Sequence, residues 1–176
     1  MAKRSYKTDV KIASGDITQL NSDAIITTIN HGGLWYGSID QAIRSVAGSQ
    51  YHCWISNKRP LKDLDVIVAK GDKRAHNGKF DNVIFVVDDL ESSLDKVIYN
   101  GLEAAHNQKY ENVTIPTIRM GARAGVVEKT PRKAASKLVE GIREFQSKYD
   151  ESTTLKNITI VVYNNPTIGA YLRNAS

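Results

Sequence analysis

Along the chain, short apolar runs rich in β-branched residues alternate with stretches whose apolar positions recur every three or four residues. The runs at Asp9 to Ala13, Ala24 to Ile29, Asp65 to Ala69, Asn82 to Val87, Val113 to Ile115 and Ile158 to Tyr163 predict strands. Most are apolar on both faces, as buried strands of a layered α/β sheet are. Between them, Ile39, Ala42, Ile43, Val46 and Ala47 follow the helical period, and Gly48 stands where a helix should stop. Leu94, Val97, Ile98, Leu102 and Ala105 repeat the pattern. The clearest helix starts at Thr130-Pro131, a capping residue followed by proline at the first helical position, with Ala134, Ala135, Leu138, Val139, Ile142 and Phe145 as its buried stripe. Gly141 interrupts that stripe and marks close packing. A polar stretch, Gln146 to Leu155, leads to the last strand; Tyr163-Asn164-Asn165-Pro166 breaks it, and Thr167 to Asn174 can close the chain as a short helix. With no internal repeat and no low-complexity linker, the pattern predicts one α/β domain over residues 1–176.

Composition narrows this only a little. A chain of 176 residues with 41% hydrophobic and 24% charged residues suits one soluble globular domain. No apolar run approaches the roughly 20 residues that cross a bilayer. The basic start, MAKRSYKTDVK, has no apolar segment behind it and does not read as a secretory signal. The single cysteine, Cys53, can form neither an internal disulfide nor a cysteine-based zinc site; it reads as a small buried hydrophobe, and a reducing cytoplasmic setting is expected. The net charge of +5 favours an anionic partner, a nucleotide, phosphate or nucleic acid, although scattered lysines also simply aid solubility. His31, His52, His76 and His106 lack metal-ligand spacing, so no metal and no cofactor are expected.

Strand-to-loop junctions are where α/β sheets bind ligands, and three are unusual. In Ser14-Gly15-Asp16-Ile17-Thr18, glycine permits a tight turn, and a buried aspartate can accept a hydrogen bond from an exocyclic amine; Asp16 can equally cap a short helix. In Asn30-His31-Gly32-Gly33-Leu34-Trp35-Tyr36-Gly37-Ser38, a glycine-rich loop enters a helix and offers backbone N–H groups to phosphate. Trp35 and Tyr36 can stack on a base or ribose, or pack inward. In Ile115 through Val126, Arg119 and Arg123 can clamp a diphosphate, or sit in surface salt bridges. Neither GxxxxGK[ST] nor a true GxGxxG is present.

Taken together, "GDIT", the strand ending ITTIN, and "LWYGSIDQAIRSVAG" resemble the macro domain family, whose pattern is close to GDIT, VNAAN and GGGGVDGAIHRAAG. The resemblance continues through "IPTIRMGARAG", where the family has FPAISTGxxG, to "ITIVVYNNPTIGAYLRN". It implies a three-layer α/β/α sandwich with a mixed central sheet, and binding of ADP-ribose or its derivatives. By resemblance, Asp16 receives the adenine amine with Ile17 beside the base and Gly15 in the turn, and Asn30 holds the distal ribose. The loop with Gly32, Gly33, Trp35, Tyr36, Gly37, Ser38 and Ile39, and the loop with Arg119, Met120, Gly121, Ala122 and Arg123, wrap the diphosphate and distal ribose; Tyr163 or Asn164 borders the adenosine. Two departures stand out. Leu34, Trp35 and Tyr36 interrupt the family's glycine run, and Gly121-Ala122-Arg123-Ala124-Gly125 is one residue longer than the usual G-x-x-G and lacks its aromatic, so Trp35 or Tyr36 could cover the ribose instead.

MacroD-type hydrolases have an aspartate at the position of Asp40 and the asparagine that matches Asn30. The resemblance therefore implies hydrolysis of an ADP-ribosyl bond or of ADP-ribose 1''-phosphate, with Asp40 activating a water and Asn30 positioning it. Asp40 also suits the first turn of a helix as a simple dipole partner. A non-catalytic ADP-ribose reader or nucleotide-sequestering module, or a poly(ADP-ribose)- or RNA-binding module, is the alternative. The expected partners are ADP-ribose or an ADP-ribosylated substrate, with no membrane, for a monomer.

Overall fold

The computed structural model describes residues 6–33, 38–56, 60–71, 75–121 and 124–175. Six strands form one sheet: β1 (Asp9–Ser14), β2 (Ser22–Ile29), β3 (Val66–Lys70), β4 (Phe80–Val87), β5 (Asn112–Pro116) and β6 (Asn157–Val162). Five helices join them: α1 (Ser38–Ala47), α2 (Cys53–Ser56), α3 (Leu94–Asn107), α4 (Pro131–Tyr149) and α5 (Pro166–Ala175), with a 3-10 turn at Ile17–Gln19. The strand order is β1-β6-β5-β2-β4-β3. The pairs β1–β6, β6–β5, β5–β2 and β2–β4 are parallel, and β3 runs antiparallel along the edge of β4.

Alternation along the strands sends side chains into two cores. Ala24 and Ile26 of β2 and Ile84 and Val86 of β4 pack with the apolar stripes of α3, α4 and α5. Ile25 and Ile29, with Val83, Phe85 and Val87, pack on the other face with Ile43 of α1 and Ile55 of α2. The result is a three-layer α/β/α sandwich on a mixed sheet, the expected fold class.

Local signals act as the sequence predicts. Thr130 accepts a hydrogen bond from the Lys133 N–H through its side chain, and Pro131 opens α4; such a cap contributes about 1 kcal/mol. The Gly48 N–H closes α1 on the Arg44 carbonyl at 2.9 Å. A Cβ at Gly141 would lie 2.6 Å from the Asp95 carbonyl oxygen, so α4 approaches α3 at a distance only glycine allows. Three expectations need correction. The polar stretch from Gln146 is helical as far as Tyr149, because Gln146 is buried and its side chain donates to the Thr8 carbonyl. The edge strand β1 is not buried on both faces. Cys53 is exposed at the start of α2 rather than buried, since Ile55 is the residue of that turn that faces the core. No described helix is long and apolar enough to cross a membrane.

Candidate functional site

A cleft opens where two strands part. β2 and β5 are paired only at Ala24–Val113 and Ile25–Thr114. Beyond that point β2 stays with β4 as far as Ile29, while β5 stays with β6 as far as Pro116. The divergence leaves a cavity of about 600 Å³ at the carboxyl ends of the parallel strands, the place where open α/β sheets bind ligands. Thr27 and Thr28 line it from β2, and Ile39, Gln41, Ala42 and Ser45 from α1. Gly15, Asp16 and Ile17 line it after β1, Pro116 through Gly121 after β5, and Val161, Tyr163, Asn165 and Ile168 from β6 to α5.

The turn after β1 holds Asp16 at the rim. Gly15 takes φ +143°, and its N–H donates to the Val162 carbonyl at 3.0 Å. Asp16 Oδ1 accepts from the Thr18 N–H at 2.9 Å and from the Thr18 hydroxyl at 2.7 Å, capping the 3-10 turn. The carboxylate is exposed rather than buried, and Oδ2 has no partner among the described residues. The capping role is therefore real and leaves one oxygen available.

At the end of β2, Asn30 is half-buried and its carbonyl accepts the Gly33 N–H at 2.9 Å. Its Oδ1 lies 3.2 Å from where a Cβ on Gly32 would sit. His31 turns to Asp89, which accepts its N–H at 2.8 Å and contacts Nδ1 at 3.0 Å. Asn30, Gly32 and Gly33 stand outside the set that lines the cavity. Leu34, Trp35, Tyr36 and Gly37 lie outside the described residues, as does the side chain of Ser38.

The structure does not bring Asp40 to the cleft with Asn30. Gln41, Ala42 and Ser45 form the cleft-facing side of α1, and at 100° per residue Asp40 and Arg44 fall on another side. Asp40 Oδ1 accepts from Arg44 Nε at 2.9 Å and meets His52 Nε2 at 2.8 Å, with the side chain 18% exposed. Burial pushes the His52 pKa below its ordinary value; the bond to Asp40 acts in the opposite direction, and Arg44 adds to the lowering.

Arg119 is the largest correction. The residue lines the cavity, but its side chain is only 1% exposed. Nε and Nη2 donate to the two oxygens of Asp88 at 3.1 and 2.6 Å, and Nη1 donates to Glu128 at 2.8 Å. Nη2 also donates to the Ser92 carbonyl at 2.8 Å. Burial alone would lower its pKa, but the hydrogen bonds and charges of Asp88 and Glu128 outweigh that and push it up. The side chain is neither a diphosphate clamp nor a surface salt bridge, because two buried carboxylates occupy its donors. Met120 and Gly121 line the cleft as expected; Ala122 and Arg123 lie outside the described residues.

After β6, the Tyr163 ring is 77% exposed on the rim. Asn164 takes φ +47° and does not line the cavity. Its neighbour Asn165 does, and caps α5 by accepting the Ile168 N–H at 3.1 Å. Sequence reasoning missed Thr27, Thr28, Gln41, Ser45, Thr117 and Asn165. Two threonines at the carboxyl end of an otherwise apolar buried strand were a usable signal. Among the described residues, one acidic trio, Asp95, Glu140 and Glu144, brings its ligand atoms within 4.8 Å, and it lies on α3 and α4, outside the cavity lining.

No family model and no curated protein matches the sequence. Solved structures do resemble it. A Trypanosoma brucei macrodomain in complex with ADP-ribose shares 18% identity at a TM-score of 0.76, over 94% of this chain and 68% of the other. An aspartate-to-alanine variant of the Oceanobacillus iheyensis macrodomain shares 19% at a TM-score of 0.79, over 99% and 94%. The macro domain of ganglioside induced differentiation associated protein 2 shares 20% at 0.72, over 88% and 77%. The chain has the macrodomain fold.

Proposed function

We propose that the cleft between β2 and β5 binds ADP-ribose or a derivative of it, with residues 1–176 acting as one domain. The observation that carries this reading is the position and lining of the cavity: it opens at the carboxyl ends of parallel strands, lined by the Asp16 carboxylate, the Tyr163 ring and the loop from Thr117 to Gly121. The Trypanosoma brucei and Oceanobacillus iheyensis macrodomains with ADP-ribose and ADP bound support the same ligand class. In this reading the free oxygen of Asp16 accepts the adenine amine, Ile17 and Tyr163 border the base, and the loop from Thr117 to Gly121 meets the diphosphate. Asn30 and the loop from Gly32 to Ser38 meet the distal ribose.

Binding has more support than hydrolysis. A general base needs a carboxylate within reach of the attacking water, and Asp40 is already held by Arg44 and His52. Hydrolysis of an ADP-ribosyl bond or of ADP-ribose 1''-phosphate is the second reading, favoured by the presence of both Asn30 and Asp40 at positions that match the hydrolase pattern.

Calorimetry with ADP-ribose tests the first reading. A micromolar dissociation constant, about −8 kcal/mol, is expected; no heat and no thermal shift at millimolar ligand would refute it. Incubation with an ADP-ribosylated protein and with ADP-ribose 1''-phosphate tests the second: turnover by the wild type that is lost in Asp40→Ala, with affinity kept, would establish the hydrolase.

A further inference from the structure

We infer that Arg119 is a positioning residue for the anion-binding side of the cleft, acting from beneath the loop through a buried ion cluster; this rests on the reading of the cleft as a nucleotide site. The loop from Thr117 to Gly121 is closed at its two ends, where the Ile118 N–H donates to the Pro116 carbonyl and the Ala124 N–H to the Gly121 carbonyl, each at 2.9 Å, but its middle is held less firmly. Met120 N–H reaches the Thr117 carbonyl at a long 3.4 Å, and the N–H groups of Arg119 and Gly121 have no partner among the described residues. Such open amides at the mouth of a cavity suit an anion. The middle of the loop, at Arg119 and Met120, therefore relies on another anchor.

The guanidinium supplies it. Arg119 stands in the loop with φ +61°, a conformation that disfavours a side chain, and its side chain is buried among polar partners. There it grips Asp88, whose N–H bonds the Ile29 carbonyl at the end of β2 at 2.7 Å. It also grips Glu128, whose second oxygen accepts the Leu94 N–H at the start of α3. One side chain thus ties the loop after β5 to the end of β4 beside β2, to the turn at Ser92, and to the segment that leads into α4. Asp88 and Ile29 belong to one side of the parted strands and the loop to the other, so the cluster spans the opening. Its planar fork makes four bonds in fixed directions, which lysine cannot reproduce.

The test is a ligand ladder of adenosine, AMP, ADP and ADP-ribose, measured by calorimetry on wild type, Arg119→Lys and Glu128→Gln. In this reading the adenosine end of the cleft is built by Gly15 to Ile17 and Tyr163, none of which bonds to Arg119, Asp88 or Glu128. Adenosine affinity should therefore hold in both variants. The gain from adenosine to ADP should shrink by about tenfold, the loss of one charge-assisted hydrogen bond. Hydrogen exchange without ligand should quicken at Met120 and Gly121. The Gln variant keeps an oxygen for the Leu94 N–H, so it reports even if Arg119→Lys does not fold. Folded variants that keep the full ADP gain and unchanged exchange at the loop would overturn the inference. So would variants that lose adenosine and ADP affinity in equal proportion, the signature of general loosening. A wild type that binds adenosine but gains nothing from the phosphates also overturns it, and one that binds no member of the ladder overturns the nucleotide reading and this inference with it.

Discussion

Two loops leave neighbouring regions of the sheet at the same end and face the same cavity, yet they use charge in opposite ways. After β1, Asp16 sits exposed at the rim, spends one oxygen on Thr18 and leaves the other open. After β5, Arg119 is sealed under its loop and spends its donors on Asp88, Glu128 and Ser92. The first charge keeps an open oxygen at the cavity; the second is spent beneath the cavity wall. Partners within reach, not residue type or position after a strand, decide between the two.

The contrast can be broken by truncation. Arg119→Met should lower folding stability by about 3–5 kcal/mol, because it strands Asp88 and Glu128 in the core without a cation; denaturant titration measures it. A loss under 1 kcal/mol would mean the cluster contributes little, as exposed pairs do. Asp16→Ala should do the reverse. Its effect on ADP-ribose affinity should be on the order of 1–3 kcal/mol, the cost of an unpaired amine, while stability drops by no more than about 1 kcal/mol for a lost cap. If stability falls and affinity holds, Asp16 is a capping residue alone.

A finer comparison separates the cleft from the far side of α1. Burial holds the His52 pKa below 6.5 in the folded protein, so the unfolded chain takes up its proton first. That contribution to stability is complete above 6.5 and is lost as the pH falls from 6.5 toward the lower folded value. His52→Gln should flatten the wild-type decline over that window, while the Asp16→Ala protein should keep it. Parallel pH profiles for wild type and His52→Gln would show that the burial of His52 does not govern acid sensitivity.

How far the sequence could be read follows the range of the interactions. Thr130, Pro131 and Gly48 act on chain a few residues away, and each does what its identity implies. Gly141 signalled a close approach without saying to what; the answer, the Asp95 backbone, lies 46 positions upstream. Arg119 was unreadable for the same reason. One of its partners is 31 positions earlier and the other 9 later, and nothing local distinguishes a guanidinium that meets a ligand from one that meets Asp88. Asp40 was legible as a first-turn carboxylate, and its contact with His52, 12 positions on, was not. The α/β elements came from periodicity, which the chain repeats many times over, and the three-layer sandwich on a mixed sheet from the family resemblance. The lining of the cleft came from single side chains, for which the pattern offers no second vote.

The pairing of β1 with β6 has a consequence in time. Asp9 lies beside Asn157 and Ser14 beside Val162, and among the described residues β1 has no other neighbour in the sheet. The first strand of the chain therefore has nowhere to dock until the last strand is in place, and a contact between such distant segments forms slowly. During synthesis the wall made by Gly15, Asp16 and Ile17 is missing even after the opposite wall, from Pro116 to Gly121, has been made. The cavity therefore gains its two facing walls only once β1 has paired with β6.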